Sequence, residues 1–281
     1  MTENILLIAQ LTDLHICATG RPAARVVETN MLAERAFRTL AALRPVPDLL
    51  VISGDLTENG LEEEYRNFVQ LIERYARMPV YLIPGNHDRR AEFRKIIGHL
   101  PGVCDHPDFI QYAVEDFPVR LVMLDTVVPG HAYGAMDGGR MEFLDRTLVA
   151  APNRSTMIVL HHPPFRCGSD SMDILNLTDS DEFAAIIATH HQVERIVCGH
   201  HHRSIVGRVD HAVAIVAPSV AHQWALDFDP KAPAALVFEP PAFMLHRWSA
   251  TDGMSSHVIY VESYLGPFPG LTDPEYPGRP L

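Results

Sequence analysis

The sequence predicts an α/β protein, and two observations support this fold class. Short, almost continuously apolar segments alternate with longer amphipathic segments, which is typical of strands that are covered on both faces. The composition is that of a globular protein, with 47% hydrophobic and 21% charged residues, so material for a core is ample. Because the 281 residues contain no evident linker or repeat, we expect one domain over residues 1–281.

The apolar segments predict strands, because their lengths suit strands and turn-forming residues bound them. The predicted strands are Ile5–Leu11, Asp48–Ser53, Val80–Ile83, Arg120–Asp125, Met157–Leu160 and Arg195–Cys198. The amphipathic segments between them predict helices. These helices are Thr29–Leu43, Leu61–Arg77, Arg90–Leu100, Arg140–Ala150 and Asp181–His191.

The pattern changes after about Asp210, where no segment of helical length follows. An antiparallel sheet is expected from four β-rich segments: Ala212–Ala217, Ala234–Phe238, Ala242–Trp248 and His257–Tyr264. We expect this β-rich part, about residues 221–281, to cap the site or to form an oligomer interface. The Pro- and Gly-rich tail Gly266–Leu281 is expected to follow the surface or a subunit interface.

Charge and targeting signals limit the possible partners. A net charge of −12 disfavours nucleic acid polymers and membrane surfaces, which attract basic proteins. A small anionic substrate remains compatible with this charge, because bound metal ions reverse the local field. The first apolar segment is too short to cross a bilayer and follows no basic region, and the four cysteines have no CxxC spacing, so we expect a cytoplasmic protein.

Polar clusters follow five of the predicted strands. Because ligands bind outside the carboxyl ends of strands in α/β sheets, these clusters are expected to converge. Each cluster alone could be an ordinary turn or a capped loop. The occurrence of all five clusters at successive strand ends, however, predicts a functional site. They are Asp13-Leu14-His15, Gly54-Asp55, Gly85-Asn86-His87-Asp88, His161-His162-Pro163-Pro164 and Gly199-His200-His201-His202.

The residue types in these clusters predict a metal centre. Carboxylates and imidazoles without thiolates suit zinc, manganese or iron. Two divalent ions need roughly eight protein ligand bonds. Asp55 has to bridge both ions if seven residues are to supply them. The expected ligands are Asp13, His15, Asp55, Asn86, His161, His200 and His202.

The five clusters resemble the motifs of the calcineurin-like metallophosphoesterases. Leu82-Ile83-Pro84 and His161-His162-Pro163-Pro164-Phe165 resemble its bacterial branch of cyclic nucleotide phosphodiesterases and glycerophosphodiesterases. The resemblance covers roughly residues 5–220. It implies a four-layer α/β/β/α sandwich, in which two mixed sheets are flanked by helices and the metal site lies at the strand ends.

The resemblance also implies a role for each ligand. One metal ion would be held by Asp13, His15, Asp55 and His202, and the other by Asp55, Asn86, His161 and His200. His87 would contact the substrate phosphate and protonate the leaving oxygen. We therefore expect His87, Asp55 and Asn86 to be catalytic, and His87, Asn86 and His222 to bind substrate. The metals implied are manganese, iron and zinc.

Several other residues have weaker expectations. His162 is expected to be buried or to support a ligand, His201 to be structural, and His222 to lie either near the substrate or at the surface. Residues Arg21, Arg25 and Asn30, and Asp170 and Asp173, lie in segments that could overhang the site or stay solvated. No arginine follows Gly54-Asp55 as it does in the protein phosphatases, which disfavours a phosphoprotein substrate.

The function that we expect is hydrolysis of a small phosphodiester by a hydroxide that bridges two metal ions. A phosphomonoesterase is the alternative within the enzyme class, and a non-catalytic scaffold with the same fold is the alternative outside it. Aromatic residues suit either a core or a homo-oligomer interface in the C-terminal part, and we expect a homo-oligomer, as the resemblance to the bacterial branch implies. These aromatic residues are Trp224, Phe228, Trp248, Tyr260, Tyr264 and Phe268.

Overall fold

Two mixed β-sheets form the centre of the computed structural model, which describes residues 5–266. The strands are β1 (Ile5–Leu11), β2 (Leu49–Ser53), β3 (Val80–Ile83), β4 (Tyr112–Val114), β5 (Arg120–Met123), β6 (Thr156–Val159), β7 (Val193–Cys198), β8 (Ile205–Val209), β9 (Ala212–Val216), β10 (Gln223–Trp224), β11 (Leu236–Val237), β12 (Ala242–Ser249) and β13 (Gly253–Tyr260). The helices are α1 (Thr29–Ala42), α2 (Glu62–Tyr75), α3 (Arg90–Ile97), α4 (Gly138–Val149), α5 (Asp170–Asp173) and α6 (Ser180–Thr189).

The first sheet has the strand order β13-β12-β1-β2-β3. Strands β1, β2 and β3 are parallel, because α1 and α2 connect them as crossovers. The hairpin of β12 and β13 adds two antiparallel strands, with His246 opposite Ile8 of β1. The carboxyl ends of the three parallel strands therefore meet at one edge of this sheet.

The second sheet has the order β4-β5-β6-β7-β9-β8. Strands β5, β6, β7 and β9 are parallel, and β4 and β8 pair antiparallel at the two edges. Gln10 links the sheets, since its side-chain amide donates to Ser53 Oγ at 2.9 Å and to the Cys198 carbonyl at 3.0 Å. These bonds hold the end of β2 beside the end of β7.

The alternation of side chains along β5 shows how the layers pack. Leu121 and Met123 join the core cluster that contains the strands of the first sheet, whereas Val122 and Leu124 join the cluster under α4 and α6. Helices α1, α2 and α3 cover the other face of the first sheet, through residues such as Phe37. The expected four-layer α/β/β/α arrangement is thus confirmed.

The C-terminal part differs from the expectation. The prediction of one separate antiparallel sheet after Asp210 is wrong, because β9 joins the second sheet in parallel with β7, while β12 and β13 extend the first sheet. Strand β13 begins at Gly253 and ends at Tyr260, earlier than predicted. The short edge strands β4 and β8 were not predicted at all.

The aromatic residues of the C-terminal part have different surroundings. Trp248 is buried against the core, whereas Phe228, Tyr260 and Tyr264 are exposed. Phe268 and the tail after Gly266 lie outside the described residues, so association stays a prediction. Within residues 5–266, no helix combines the length and the apolar character that crossing a membrane requires.

Candidate metal centre

The ends of five parallel strands bring the predicted ligands together. Asp13 and His15 follow β1, Asp55 follows β2, Asn86 follows β3, His161 follows β6, and His200 and His202 follow β7. All of these side chains are buried except that of Asn86, which is partly exposed. The edge at which the strands of both sheets end is therefore lined by carboxylates, imidazoles and one amide.

The first group consists of Asp13, His15, Asp55 and His202. One ligand atom from each residue lies within 4.8 Å of the ligand atoms of the other three. His202 Nε2 is 3.3 Å from Asp13 Oδ1, and His15 Nε2 is 3.7 Å from Asp55 Oδ2. This is the set that the resemblance assigns to one metal ion.

The second group surrounds the other side of Asp55. His161 Nε2 lies 3.4 Å from Asp55 Oδ2 and 3.1 Å from Asn86 Oδ1. The imidazoles of His161, His162 and His200 form a further cluster with ring nitrogens within 4.8 Å of one another. Because Asp55 Oδ2 faces His15 as well as His161, this carboxylate is shared by the two groups.

Three histidines are held by hydrogen bonds at Nδ1, the ring nitrogen that points away from the centre. His15 Nδ1 contacts Glu58 Oε2 at 2.7 Å, His161 Nδ1 contacts the Ser53 carbonyl at 2.8 Å, and His202 Nδ1 contacts the His222 carbonyl at 2.9 Å. Each bond fixes the tautomer and leaves the Nε2 lone pair directed at the centre, as metal-binding histidines require.

The inward nitrogens support the presence of cations. His15 Nε2 and His202 Nε2 face each other at 3.1 Å. With a proton on each Nδ1 they present two lone pairs that repel unless a positive charge lies between them. His200 Nε2 is buried without a hydrogen-bond partner among the described residues. A buried polar atom of this kind costs free energy unless it binds something, so the donor set fits two divalent ions.

The backbone at these positions is strained. Asp13, His15, Asp55, His200 and His202 all have positive φ, between 47° and 74°. Non-glycine residues rarely adopt this conformation, and such strain is concentrated at functional sites. Gly54 has a φ of 99°, and a Cβ atom there would lie 2.4 Å from His161 Nδ1. The turn after β2 therefore needs glycine to let Asp55 and His161 approach.

Electrostatics couple the acid and base groups. Burial opposes ionisation of Asp55, but the nearby His161 and His87 hold the pKa of its carboxyl well below the usual value. Burial alone would lower the pKa of His161, but Asp55 raises it to about 9. A proton on His161 thus supplies positive charge beside Asp55, and a metal ion bound there would displace this proton and supply positive charge in its place.

Comparison with known proteins identifies the family. Residues 6–204 match the family described as calcineurin-like phosphoesterase. This chain belongs to that family. A probable glycerophosphodiester phosphodiesterase from Arcobacter nitrofigilis is 31% identical over 265 residues, covering 94% of this chain and 96% of the relative. A 3′,5′-cyclic-nucleotide phosphodiesterase from Nostoc sp. is 30% identical over 225 residues, which are 80% of this chain and 82% of that protein.

Solved structures show the same fold at lower sequence similarity. A dimetal phosphatase from Danio rerio superposes with a TM-score of 0.62 at 14% identity, covering 92% of this chain and 99% of that chain. At this identity the likeness concerns the fold alone. The two-sheet architecture of this metallophosphoesterase, with its buried His and Asp clusters, is therefore that of the metallophosphatase fold.

His87 lies beside the two groups of the metallophosphoesterase site. Its main-chain N–H donates to Asp55 Oδ1 at 2.9 Å, and its Nδ1 contacts the Glu58 carbonyl at 2.7 Å. His87 also packs edge-on against His15, with ring centroids 4.7 Å apart. Together with Asn86 it lines a cavity of about 640 Å³. We call this space the catalytic cavity.

The remaining predicted histidines are all buried. His162 Nδ1 contacts Thr126 Oγ1 at 2.7 Å. His201 is buried beside the ring of His200. His222 is buried rather than at the surface, and its ring lies 4.7 Å from that of His202 and 5.5 Å from that of His15. His162 lies in the cluster with His161 and His200, and His222 borders the group of His15 and His202.

The loop residues divide between fixed and solvated roles. Asn30 accepts from the Cys17 main-chain N–H at 2.8 Å, and so fastens the segment after the first motif. Asp173 accepts from the N–H groups of Cys167 and Gly168 and stabilises that turn, whereas Asp170 is exposed. Arg21 and Arg25 are exposed and line a second cavity that is described below.

The residues that hold the ligands in place were not predicted from the sequence. Glu58 contacts His15, and Ser219 Oγ donates to the Asp13 carbonyl at 2.8 Å. Asp88 is buried and accepts from Gly85 N, Leu56 N and the Tyr65 hydroxyl. Its position within the third motif was a signal, since a buried carboxylate between two ligand loops is costly unless several donors meet it.

Proposed function

We propose that this metallophosphoesterase hydrolyses small phosphodiesters of the cyclic nucleotide or glycerophosphodiester type. The observation that carries the proposal is the set of inward imidazole nitrogens, each fixed at its outer nitrogen, around the shared carboxylate of Asp55. The names of relatives that are about 30% identical over most of the chain support the choice of phosphodiesters.

Two divalent ions, manganese, iron or zinc, would be held by the two ligand groups. One would be bound by Asp13, His15, Asp55 and His202, and the other by Asp55, Asn86, His161 and His200. When bound, the ions supply Lewis-acid polarisation of the phosphoryl oxygens and lower the pKa of a coordinated water. The protein fixes the ligands in advance through Glu58, Ser53 and the His222 carbonyl.

His87 is the residue of this chain that we assign to proton transfer. Its Nδ1 is engaged by the Glu58 carbonyl, so Nε2 is the ring atom that remains for a substrate oxygen. In this role His87 neutralises charge on a phosphoryl oxygen and delivers a proton to the leaving oxygen. The partly exposed positions of Asn86 and His87 at the catalytic cavity give a substrate access to both residues.

Arg90 is not available to meet the extra negative charge of a phosphomonoester. A monoester carries an additional negative charge, which a free cation at the site would meet. Arg90 instead makes a bidentate ion pair with Asp125, at 2.6 and 2.7 Å, and donates to the Val127 carbonyl. Its guanidinium is thus committed to the protein, although it borders the catalytic cavity.

Parallel assays test the proposal. Metal-depleted protein is reconstituted with manganese, zinc or iron and assayed on bis(4-nitrophenyl) phosphate, 4-nitrophenyl phosphate, a cyclic nucleotide and a glycerophosphodiester. We expect kcat/KM for the diesters to exceed that for the monoester by at least tenfold with one of these metals. Faster hydrolysis of the monoester would replace the proposal by a phosphomonoesterase, and no hydrolysis in a metal-loaded protein would favour a scaffold.

A further inference from the structure

A second cavity adjoins the catalytic cavity and contains a group of arginines. This cavity, about 680 Å³ in volume, lies between the segment of residues 17–25 and the segment of residues 58–64. Glu58, Asn59 and Arg89 line both cavities, so the two spaces are adjacent at these residues. Arg21, Arg25 and Arg89 are all among the residues that line the second cavity. We call this space the arginine cavity.

Among the residues that the structure describes, the three arginines of this cavity have no acidic partner. The side chains of Arg21, Arg25 and Arg89 make no hydrogen bond or ion pair within residues 5–266, although 35 acidic residues outnumber the 23 basic ones in the chain. Arg90, next along the chain, is paired with Asp125. The lining of this cavity thus has unpaired positive groups, although the net charge of the protein is negative.

The carboxylates that line the arginine cavity are already bound elsewhere. Glu58 contacts His15 Nδ1, and Glu63 accepts from the Thr19 main-chain N–H at 3.1 Å. Glu64 is buried and accepts from Asn59 and from the Leu61 main-chain N–H. These bonds direct the carboxylates to other donors, and within residues 5–266 none of the three carboxylates forms an ion pair with one of the arginines.

The backbone presents Arg25 at the tip of a fixed, strained turn. Ala23 and Val27 pair through two main-chain hydrogen bonds of 2.9 Å and are both buried. At the tip of this turn Ala24 and Arg25 have φ values of 46° and 67°. In the described chain, positive φ at non-glycine residues otherwise occurs only at five metal-ligand candidates and at Asp210 in the turn between β8 and β9.

The same segment is fastened to the ligand that follows β1. Thr29 Oγ1 donates to the His15 carbonyl at 2.6 Å, and the Asn67 side chain donates to the Cys17 carbonyl at 3.0 Å. The Arg89 side chain packs over Gly60, where a Cβ atom would lie 2.4 Å from Arg89 Cγ. The arginines therefore lie on segments that hydrogen bonds and packing hold in place near the metal centre, rather than on a free loop.

From these observations we infer that the arginine cavity binds a second anionic group of the substrate, a carboxylate or phosphate on one substituent of the phosphodiester. The inference rests on the proposed function, since it assumes that the reacting phosphate lies in the catalytic cavity. The arginines would form charge-assisted hydrogen bonds with the second anion. The preferred substrate is then a diester with an acidic substituent, rather than one with a neutral or cationic substituent.

A matched pair of substrates tests the inference. We use 4-nitrophenyl 3-carboxypropyl phosphate and 4-nitrophenyl 3-carbamoylpropyl phosphate, which differ only in a carboxylate and its amide. With metal-loaded wild-type protein we expect the carboxylate to have the higher kcat/KM. In the double variant Arg21→Gln/Arg25→Gln we expect the ratio of the two kcat/KM values to fall about fivefold, through KM. An unchanged ratio would overturn the inference.

The matched control is the double variant Arg77→Gln/Arg146→Gln. Both residues are exposed and line neither cavity, and the change in net charge is the same. We expect this control to keep the wild-type ratio. An equal fall in the control would show that the overall charge sets the preference and would also contradict the inference.

Titration calorimetry separates this inference from the proposed function. The dissociation constants of the two compounds are measured with the same metal-loaded proteins, whether or not turnover occurs. Absence of hydrolysis refutes the proposed function, whereas tighter binding of the carboxylate that the arginine double variant abolishes still supports the anion site. Equal binding of the two compounds to the wild-type protein would refute the site itself.

Discussion

Glu58 Oε2 lies 2.7 Å from His15 Nδ1, on the side of the imidazole that faces away from the ligand groups. The same residue offers its main-chain carbonyl to His87 Nδ1. One residue in the loop after β2 therefore orients both a metal-ligand candidate and the histidine assigned to proton transfer. Carboxylates that contact ligating histidines in this way raise the basicity of the ligand and fix its tautomer.

Replacing Glu58 by Gln tests this relationship. The amide keeps the size of the side chain but removes its charge, so we expect metal affinity to fall about 10- to 100-fold. The affinity is measured by competition with a chelator of known strength. Glu73→Gln, an exposed change on α2, is the matched control and should leave it unaltered. Equal affinities in all three proteins would show that Glu58 does not support His15.

His87→Ala separates proton transfer from metal binding. We expect kcat on a diester with a poor leaving group to fall about 10²- to 10⁴-fold, because general acid catalysis contributes factors of this size. The metal content should stay at the wild-type value, since His87 is in neither proposed ligand set. His99→Ala removes an exposed histidine and should change neither quantity. A wild-type kcat in His87→Ala would remove His87 from the mechanism.

Asn86→Ala is expected to weaken one ion selectively. Asn86 Oδ1 contacts His161 Nε2, and Asn86 belongs only to the second of the two proposed ligand sets. Elemental analysis after dialysis should therefore find about one metal ion per chain where the wild-type protein retains two. Activity on the diester should fall at least tenfold. Retention of both ions and of full activity would refute the assignment of Asn86.

Protonation of His246 provides a test of the fold that is remote from the reaction. His246 is fully buried between Gln10 Oε1, at 3.1 Å, and Ser256 Oγ, at 2.8 Å. Burial, with additional effects of Arg195 and His257, lowers the pKa of His246 to about 3. The unfolded chain takes up this proton below about pH 6.5, whereas the folded chain does not until about pH 3.

The sign of the pH dependence follows from that difference. Between these two pH values the unfolded state binds more protons, so the free energy of unfolding rises with pH, by up to about 1.4 kcal/mol per unit. Urea unfolding of the wild-type protein and of His246→Gln between pH 4.5 and 7 measures this dependence of the free energy of unfolding on pH. We expect a shallower slope in the variant and an unaltered slope in His99→Gln. Parallel curves for wild type and His246→Gln would contradict this account.

The sequence was sufficient to predict where the ligand candidates lie. Asp13, Asp55, Asn86, His161 and His200 each follow an apolar strand, and parallel strands end at a common edge. This rule is local in the chain and needs no knowledge of which strands are neighbours. The α/β class and the predicted helices and strands of the first 200 residues are also confirmed, because the patterns that predict them are likewise local in the chain.

The features that could not be predicted depend on partners that are distant in the chain. Strand β12 pairs with β1, so that His246 lies opposite Ile8, and no local pattern specifies this partner. The short strand β8 has exposed residues on its outer side and lacks an apolar run. Likewise, the contact of Glu58 with His15 joins two loops whose relative placement only the folded sheet determines.

The central claim is that two cations bind at the ends of the parallel strands, with Asp55 shared between them. Elemental analysis of purified wild-type protein and Asp55→Ala, both loaded with manganese or zinc and then dialysed, tests it most directly. We predict about two ions per chain in the wild-type protein and fewer than one in Asp55→Ala. Circular dichroism should show that the variant remains folded. A wild-type protein without bound metal, or a folded variant that keeps both ions, would contradict the claim.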